Sequence, residues 1–260
     1  MLELSVDQKG TATITLNRPE VHNAFDDTLI AELKEILQTA GADQAVRIVV
    51  LAANGKSFSA GADLNWMRRM ADYSDDENFD DAMRLADMLQ CLDELSKPTI
   101  AKVQGHAFGG GVGLVACCDI AVCAQSAKFS LSEVRLGLMP SIISPFVVRA
   151  IGAREARRYF QTAERFDADE AYRIGLVHRV VPPVALDDAT DEIVDNLLQG
   201  GPEAQTATKD FIALNHQSPI NKELLRDAAK RIADLRASPE GKEGVSAFLE
   251  KRSPDWGPDK

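Results

Sequence analysis

Residues 99–113 read Thr99-Ile100-Ala101-Lys102-Val103-Gln104-Gly105-His106-Ala107-Phe108-Gly109-Gly110-Gly111-Val112-Gly113, and this stretch decides the class of fold. Its first five residues have the β-branched, apolar character of a buried strand. Residues 105–111 form a glycine-rich loop. Residues 112–118 are apolar on every side, which predicts a short helix buried all round. A strand that passes through a loop of small residues into a helix is an α/β unit. The same order stands upstream. Residues 46–52 are an unbroken apolar run, as expected of a strand covered on both faces. Residues 54–62 form a second small-residue loop, and Leu64, Met67 and Met70 follow at helical spacing.

Working outward, residues 2–6 and 11–16 predict a hairpin, and Asn17-Arg18-Pro19 stops its second strand. Asp26 is placed to cap a helix over 27–40 that carries Leu29, Leu33, Ile36 and Leu37 on one face and Gly41 at its end. A further helix spans 76–95 and stops at Lys97-Pro98. Residues 120–122 and 128–130 are short strands. The recurring order of strand, strand and helix predicts one α/β domain over about the first 190 residues. After Pro182-Pro183 the pattern is helical, over 186–198, 202–214, 219–236 and 239–250. We place a boundary near residue 195, which gives a core of 1–195 and a helical region of 196–260. The tail is too thin to bury its own apolar stripes (Phe211 and Leu214; Leu224, Leu225, Ile232 and Leu235; Phe248 and Leu249). It is therefore expected to pack on the core or on a neighbouring subunit.

At 260 residues, with 45% hydrophobic and 27% charged residues, the chain can bury a large core, and fibrous or disordered classes are excluded. Forty acidic against 29 basic residues give a net charge of −11, which argues against general nucleic-acid binding. Cys91, Cys117, Cys118 and Cys123 form no CxxC pair, and the four histidines form no HExxH, so no metal site is expected. The first ten residues have neither a basic nor a long apolar segment, and no run reaches the ~18 apolar residues of a membrane span. A soluble, cytoplasmic protein is the expectation.

The two small-residue loops are the candidates for chemistry. Each leads into a helix, whose first N–H groups are unpaired and carry partial positive charge. Side by side they could direct two N–H groups at one developing oxyanion, or they could simply be tight turns under close helix packing. Gly111-x-Gly113-x-x-Ala116 also fits a loose dinucleotide fingerprint, with Glu133 some twenty residues on.

The chain resembles the crotonase, or enoyl-CoA hydratase/isomerase, superfamily. The resemblance rests on Leu16-Asn17-Arg18-Pro19 with Asn23-Ala24, Phe58-Ser59-Ala60-Gly61-Ala62-Asp63-Leu64, Lys97 to Gly105 with Gly109-Gly110-Gly111, and Cys118-Asp119-Ile120. It continues through Phe129-Ser130-Leu131-Ser132-Glu133-Val134, Gly137-Leu138-Met139-Pro140, residues 168–177 and Ala247-Phe248-Leu249-Glu250-Lys251-Arg252. It implies an α/β fold, a spiral of repeated ββα units with a C-terminal helical region used in trimerisation. It also implies an acyl-CoA thioester substrate, no separate cofactor because coenzyme A is part of the substrate, and a homo-oligomer that is a trimer or a dimer of trimers. Membrane and nucleic-acid partners are not implied. Family members that bind RNA carry a lysine-rich helix, whereas residues 65–73 here offer only Arg68 and Arg69 against Asp72.

By the same resemblance, Ala62 and Gly110 supply the oxyanion-hole N–H groups and Glu133 is the catalytic glutamate. Ala24, Ala60, Asp63, Leu64, Gly109, Phe248 and Lys251 stand at substrate-contacting positions, the last two reaching CoA from a neighbouring subunit. Asp63 also reads as a helix cap. Two departures matter. Gly113 stands where hydratases of the family carry a second glutamate, and Pro140-Ser141-Ile142-Ile143-Ser144-Pro145-Phe146 replaces a glycine-rich stretch. Pro145 and the β-branched pair are expected to stiffen a wall beside Glu133. Gly113 is expected to leave a space that a substrate carboxylate could fill. Together these features resemble the branch that hydrates carboxylated, branched enoyl-CoAs such as 3-methylglutaconyl-CoA, in leucine or isoprenoid-acid catabolism. A Δ3,Δ2-enoyl-CoA isomerase with Glu133 as its single acid/base, and a non-catalytic or RNA-binding homologue, are the alternatives.

Overall fold

The computed structural model describes residues 1–216 and 218–257, so Gln217 and residues 258–260 of the expected helical region lie outside the described residues. Strand β1 (Leu2–Val6) and β2 (Thr11–Leu16) form the expected hairpin, followed by α1 (Asp27–Ala42) and then β3 (Ile48–Ala53). The chain continues through β4 (Ser57–Ser59), α2 (Leu64–Met70), α3 (Asp75–Asp93), β5 (Thr99–Val103), β6 (His106–Phe108), α4 (Gly110–Cys117), β7 (Ile120–Ala124) and β8 (Lys128–Ser130). A 3-10 turn at Glu133–Leu136 leads to α5 (Ser144–Thr162), β9 (Phe166–Asp167), α6 (Ala168–Arg173) and β10 (Arg179–Val181). Helices α7 (Leu186–Leu198), α8 (Pro202–Asn215), α9 (Lys222–Ala237) and α10 (Pro239–Glu250) follow.

Two sheets organise these elements. The larger runs β1-β2-β3-β5-β7-β10, parallel apart from the β1/β2 hairpin, and the smaller runs β4-β6-β8-β9, parallel apart from β8/β9. Each turn of the chain therefore gives one strand to each sheet before a helix returns it, a spiral of ββα units. Of the small sheet only β8, at 128–130, was expected from the sequence. Strands β4 and β6 lie inside the segments 54–62 and 105–111 expected as loops, because three-residue strands show no usable alternation. Helix α4 likewise begins at Gly110, two residues earlier than expected.

The large sheet is covered on both faces, as its apolar strands require. Within β3, Val49 and Leu51 face the main core with Leu29, Leu33, Leu89 and Val112, whereas Ile48 and Val50 face Val194 and Leu198 of α7. The expected boundary at residue 195 consequently falls inside a helix that belongs to the core. The tail proper starts at Pro202. Neither α8 nor α9 has a fully buried residue. Polar ties hold the tail down: Lys209 Nζ donates to Asp119 Oδ2 at 2.8 Å, and Arg47 donates to the carbonyls of Gly200 (2.7 Å) and Trp256 (3.1 Å).

The loop between β2 and α1 is organised by Asn23, which is fully buried with φ +53°. Its Nδ2 donates to the carbonyls of Asn54 and Ser57, both at 2.8 Å, and its Oδ1 accepts from the Arg18 N–H at 2.8 Å. Asparagine tolerates this left-handed backbone better than most residues. Replacing Asn23 with Ala strands buried polar groups as well, so the substitution should destabilise the fold by about 3 kcal/mol. The fall in the urea midpoint at unchanged m value measures it.

Candidate active site

Phe25 joins the two small-residue loops. Its backbone N–H donates to the Gly61 carbonyl at 2.8 Å and its carbonyl accepts from the Asp63 N–H at 3.0 Å, an isolated bridge between Phe25 and Ala62 that fixes the path of residues 61–63. Its ring lies beneath Gly110, where any Cβ would collide with Phe25 Cζ. The loops also touch directly: a Cβ on Gly61 would stand 2.9 Å from the Phe108 carbonyl and 3.5 Å from the Gly110 nitrogen. The N–H groups of Ala62 and of Gly110, the first residue of α4, donate to no acceptor among the described residues. Two free donors therefore sit in adjoining loops. Such an arrangement suits an oxygen that gains negative charge.

Glu133 meets them from the turn after β8. A Cβ on Gly109 would lie 3.0 Å from Glu133 Oε1, and Gly109 itself has φ +50°, a conformation that glycine adopts without strain. Glu133 Oε2 is buried and has no hydrogen-bond partner among the described residues. Burial pushes the carboxyl pKa above its ordinary value, because desolvation outweighs the hydrogen bond from its own backbone. A half-buried carboxyl with a free oxygen beside two free N–H donors can move a proton at an atom next to a bound carbonyl.

Arg18 holds the frame. Its guanidinium donates to the Ala24 carbonyl at 2.8 Å and pairs with Asp26 (3.1 Å) and Asp63 (3.3 Å). These two carboxylates cap α1 and α2: Asp26 accepts from the Leu29 N–H, and Asp63 from those of Asn65 and Trp66. One arginine thus ties the starts of both helices to the β2–α1 loop. Asp63 is fully engaged in the frame, which leaves Glu133 as the carboxylate presented to the loops.

The remaining candidates divide into two groups. Ala24, Ala60, Leu64 and Gly109 cluster with these loops; Ala60 N–H donates to the His22 carbonyl at 2.9 Å, and Leu64 is 68% exposed at the start of α2. Phe248 and Lys251 are not brought there. They stand at the exposed end of α10, which packs on α8 and α9.

One rival pattern falls away and two expectations need correction. The dinucleotide fingerprint fails, because Gly111 and Gly113 lie inside α4 and serve helix packing: a Cβ on Gly111 would come within 2.6 Å of the Ser59 carbonyl. Glu133 sits at a turn against Gly109 rather than at a strand end. Gly113 leaves no opening either. The space its side chain would need is filled by Ile143, whose Cγ2 a Cβ would strike and whose Cβ it would approach to 3.0 Å, with Leu89 Cδ2 at 3.8 Å. Finally, Pro145 stiffens no loop, because it lies in the first turn of α5. Sequence reasoning missed Phe25, and it placed Ile143 in a wall beside Glu133 without pairing it with Gly113. Nothing marks Phe25 among ordinary core aromatics, but Gly113 and Ile143 are departures of opposite size and could have been paired.

A family model described as enoyl-CoA hydratase/isomerase matches residues 7–259. The crystal structure of an enoyl-CoA hydratase from Shewanella pealeana is 44% identical, superposes with a TM-score of 0.95, and is matched over 98% of this chain and 95% of that one. The 2,3-dehydroadipyl-CoA hydratase of Escherichia coli is 32% identical over 98% of this chain and 99% of its own length. The trans-2-decenoyl-[acyl-carrier-protein] isomerase of Streptococcus mutans is 30% identical over 95% of this chain and 94% of its own. The chain belongs to the enoyl-CoA hydratase/isomerase family and has the crotonase fold.

The desolvated Glu133 predicts a stability effect of definite sign. With its pKa raised in the fold, the native state holds the proton more tightly than the unfolded chain does. The penalty is absent below the ordinary glutamate range, grows as pH rises towards the raised folded pKa, and persists above it. Glu133→Gln should therefore melt at a higher temperature than the wild type at pH 7, and at the same temperature below about pH 4. Melting curves of the two proteins across pH measure the difference.

Proposed function

We propose that the protein is an enoyl-CoA hydratase in which Glu133 is the only protein acid/base. The observation that carries this reading is the buried, unpartnered oxygen of Glu133 beside the free N–H groups of Ala62 and Gly110. The thioester carbonyl of a 2-enoyl-CoA would accept from those two donors. Glu133 takes a proton from water as the hydroxyl bonds to the β-carbon, and the electron pair of the double bond moves onto the carbonyl to form an enolate. The collapsing enolate takes the same proton from Glu133 at the α-carbon, which restores the carboxylate. One water is added, and no redox cofactor is needed.

For the acyl group we favour a branched, carboxylated chain of the 3-methylglutaconyl type. The Escherichia coli relative is named for a carboxylated enoyl-CoA. The substrate carboxylate cannot sit over Gly113, which Ile143 covers, so it would lie further along the acyl chain. A second reading is double-bond isomerisation, which needs one carboxylate to carry a proton between two carbons. It is favoured by the lack of room for a second carboxylate at 113 and by the isomerase among the relatives.

The active assembly in this reading is a trimer or a dimer of trimers. Phe248 and Leu249 are 82% and 72% exposed on a tail helix, and they need a neighbouring subunit to cover them. Phe248 and Lys251 would then reach the CoA of that neighbour. Light scattering at micromolar concentration should report the oligomer, and a stable monomer would contradict it.

Wild-type protein mixed with 3-methylglutaconyl-CoA should bleach the enoyl-thioester absorbance, whereas an isomerase would create that absorbance from a 3-enoyl-CoA. Glu133→Gln should lower kcat by ~10²–10⁴-fold with substrate affinity nearly unchanged. Crotonyl-CoA should be the poorer substrate by more than about tenfold in kcat/KM. Equal kcat/KM for the two would remove the case for a carboxylated chain.

A further inference from the structure

Glu133 and Ile143 both pack against the N-terminal end of α4. Glu133 lies against Gly109, the residue that caps the helix, and Ile143 lies against Gly113, whose N–H points back to the Gly109 carbonyl at 3.4 Å. The carboxyl group and the isoleucine therefore flank the same first turn of α4. Ile143 is 2% exposed and fills the volume a side chain at 113 would take, with Leu89 also bordering that volume.

We propose that Ile143 is a specificity-determining residue of this site: it holds the volume beside Glu133 with an aliphatic group and so sets the width available to the acyl chain at the carbon where Glu133 acts. The proposal rests on the acyl-CoA reading of the site. A protein carboxylate at 113 would be excluded by the same isoleucine, because shape and not only sequence closes the position. The wall is aliphatic and packed on Gly113 without a gap, so it selects by size alone. Removing methyl groups from it should admit a wider acyl group.

The test uses full-length protein and two saturated ligands that cannot be hydrated, butyryl-CoA and its β-methyl analogue isovaleryl-CoA, titrated calorimetrically. Ile143→Ala should shift the ratio of their dissociation constants by about tenfold or more in favour of isovaleryl-CoA. Ile143→Val, which disturbs packing less, should shift it the same way by a smaller factor. A second measurement reads the contact itself. Gly113→Ala should lower the melting temperature sharply in the wild-type background and much less in Ile143→Ala. An unchanged ligand ratio in either folded variant, or additive melting effects, would overturn the role of Ile143. Failure of wild-type protein to bind either ligand would instead overturn the acyl-CoA reading.

Discussion

The first turn of α4 is packed so closely that three of its four residues, Gly110, Gly111 and Gly113, have no room for a side chain, and the geometry of the site follows from that constraint. The ring of Phe25 lies under Gly110, the backbone of Ser59 against Gly111, Ile143 against Gly113, and Glu133 against Gly109 just ahead of the turn. A Cβ at any of the three helical positions would push one neighbour out of place. With hydrogen alone at each position, four elements converge on one helix end. Its unpaired N–H is left exposed to a ligand rather than to a side chain.

What converges there is held from outside by polar groups rather than by more core. Arg18 reaches two helix caps, and the fully buried Asn23 satisfies three backbone groups. These contacts do not touch the reacting atoms. They fix the angle at which residues 61–63 pass Gly110, on which the alignment of two backbone donors depends. Glu133 is the reverse case. Among the described residues its Oε2 has no donor, so burial makes the charge costly and lowers stability at neutral pH.

Much of this was legible from sequence, for definite reasons. Strand β3 showed as an unbroken apolar run because α7 covers its second face. The cap at Asp26 showed because capping is a local interaction. Of the small sheet only β8 was expected; β4, β6 and β9 stayed hidden, since each has two or three residues and pairs only with distant segments. Helix α5 was not anticipated, and Gly152, with φ +77°, breaks its regularity. The Gly113 to Ile143 contact joins residues thirty positions apart on different elements, so each looked like an isolated departure. Read alone, Gly113 suggested an opening; in the fold it is a closed wall.

The central claim is that one carboxylate carries out both proton transfers. The pH dependence of kcat/KM tests this most directly, because it reports the ionisations of the free enzyme that turnover requires. A single carboxylate that must start ionised predicts one limb, with activity rising as pH climbs through a pKa above the ordinary glutamate range and then holding level. A bell-shaped profile, with a second ionisation belonging to a separate protein acid, would contradict the account.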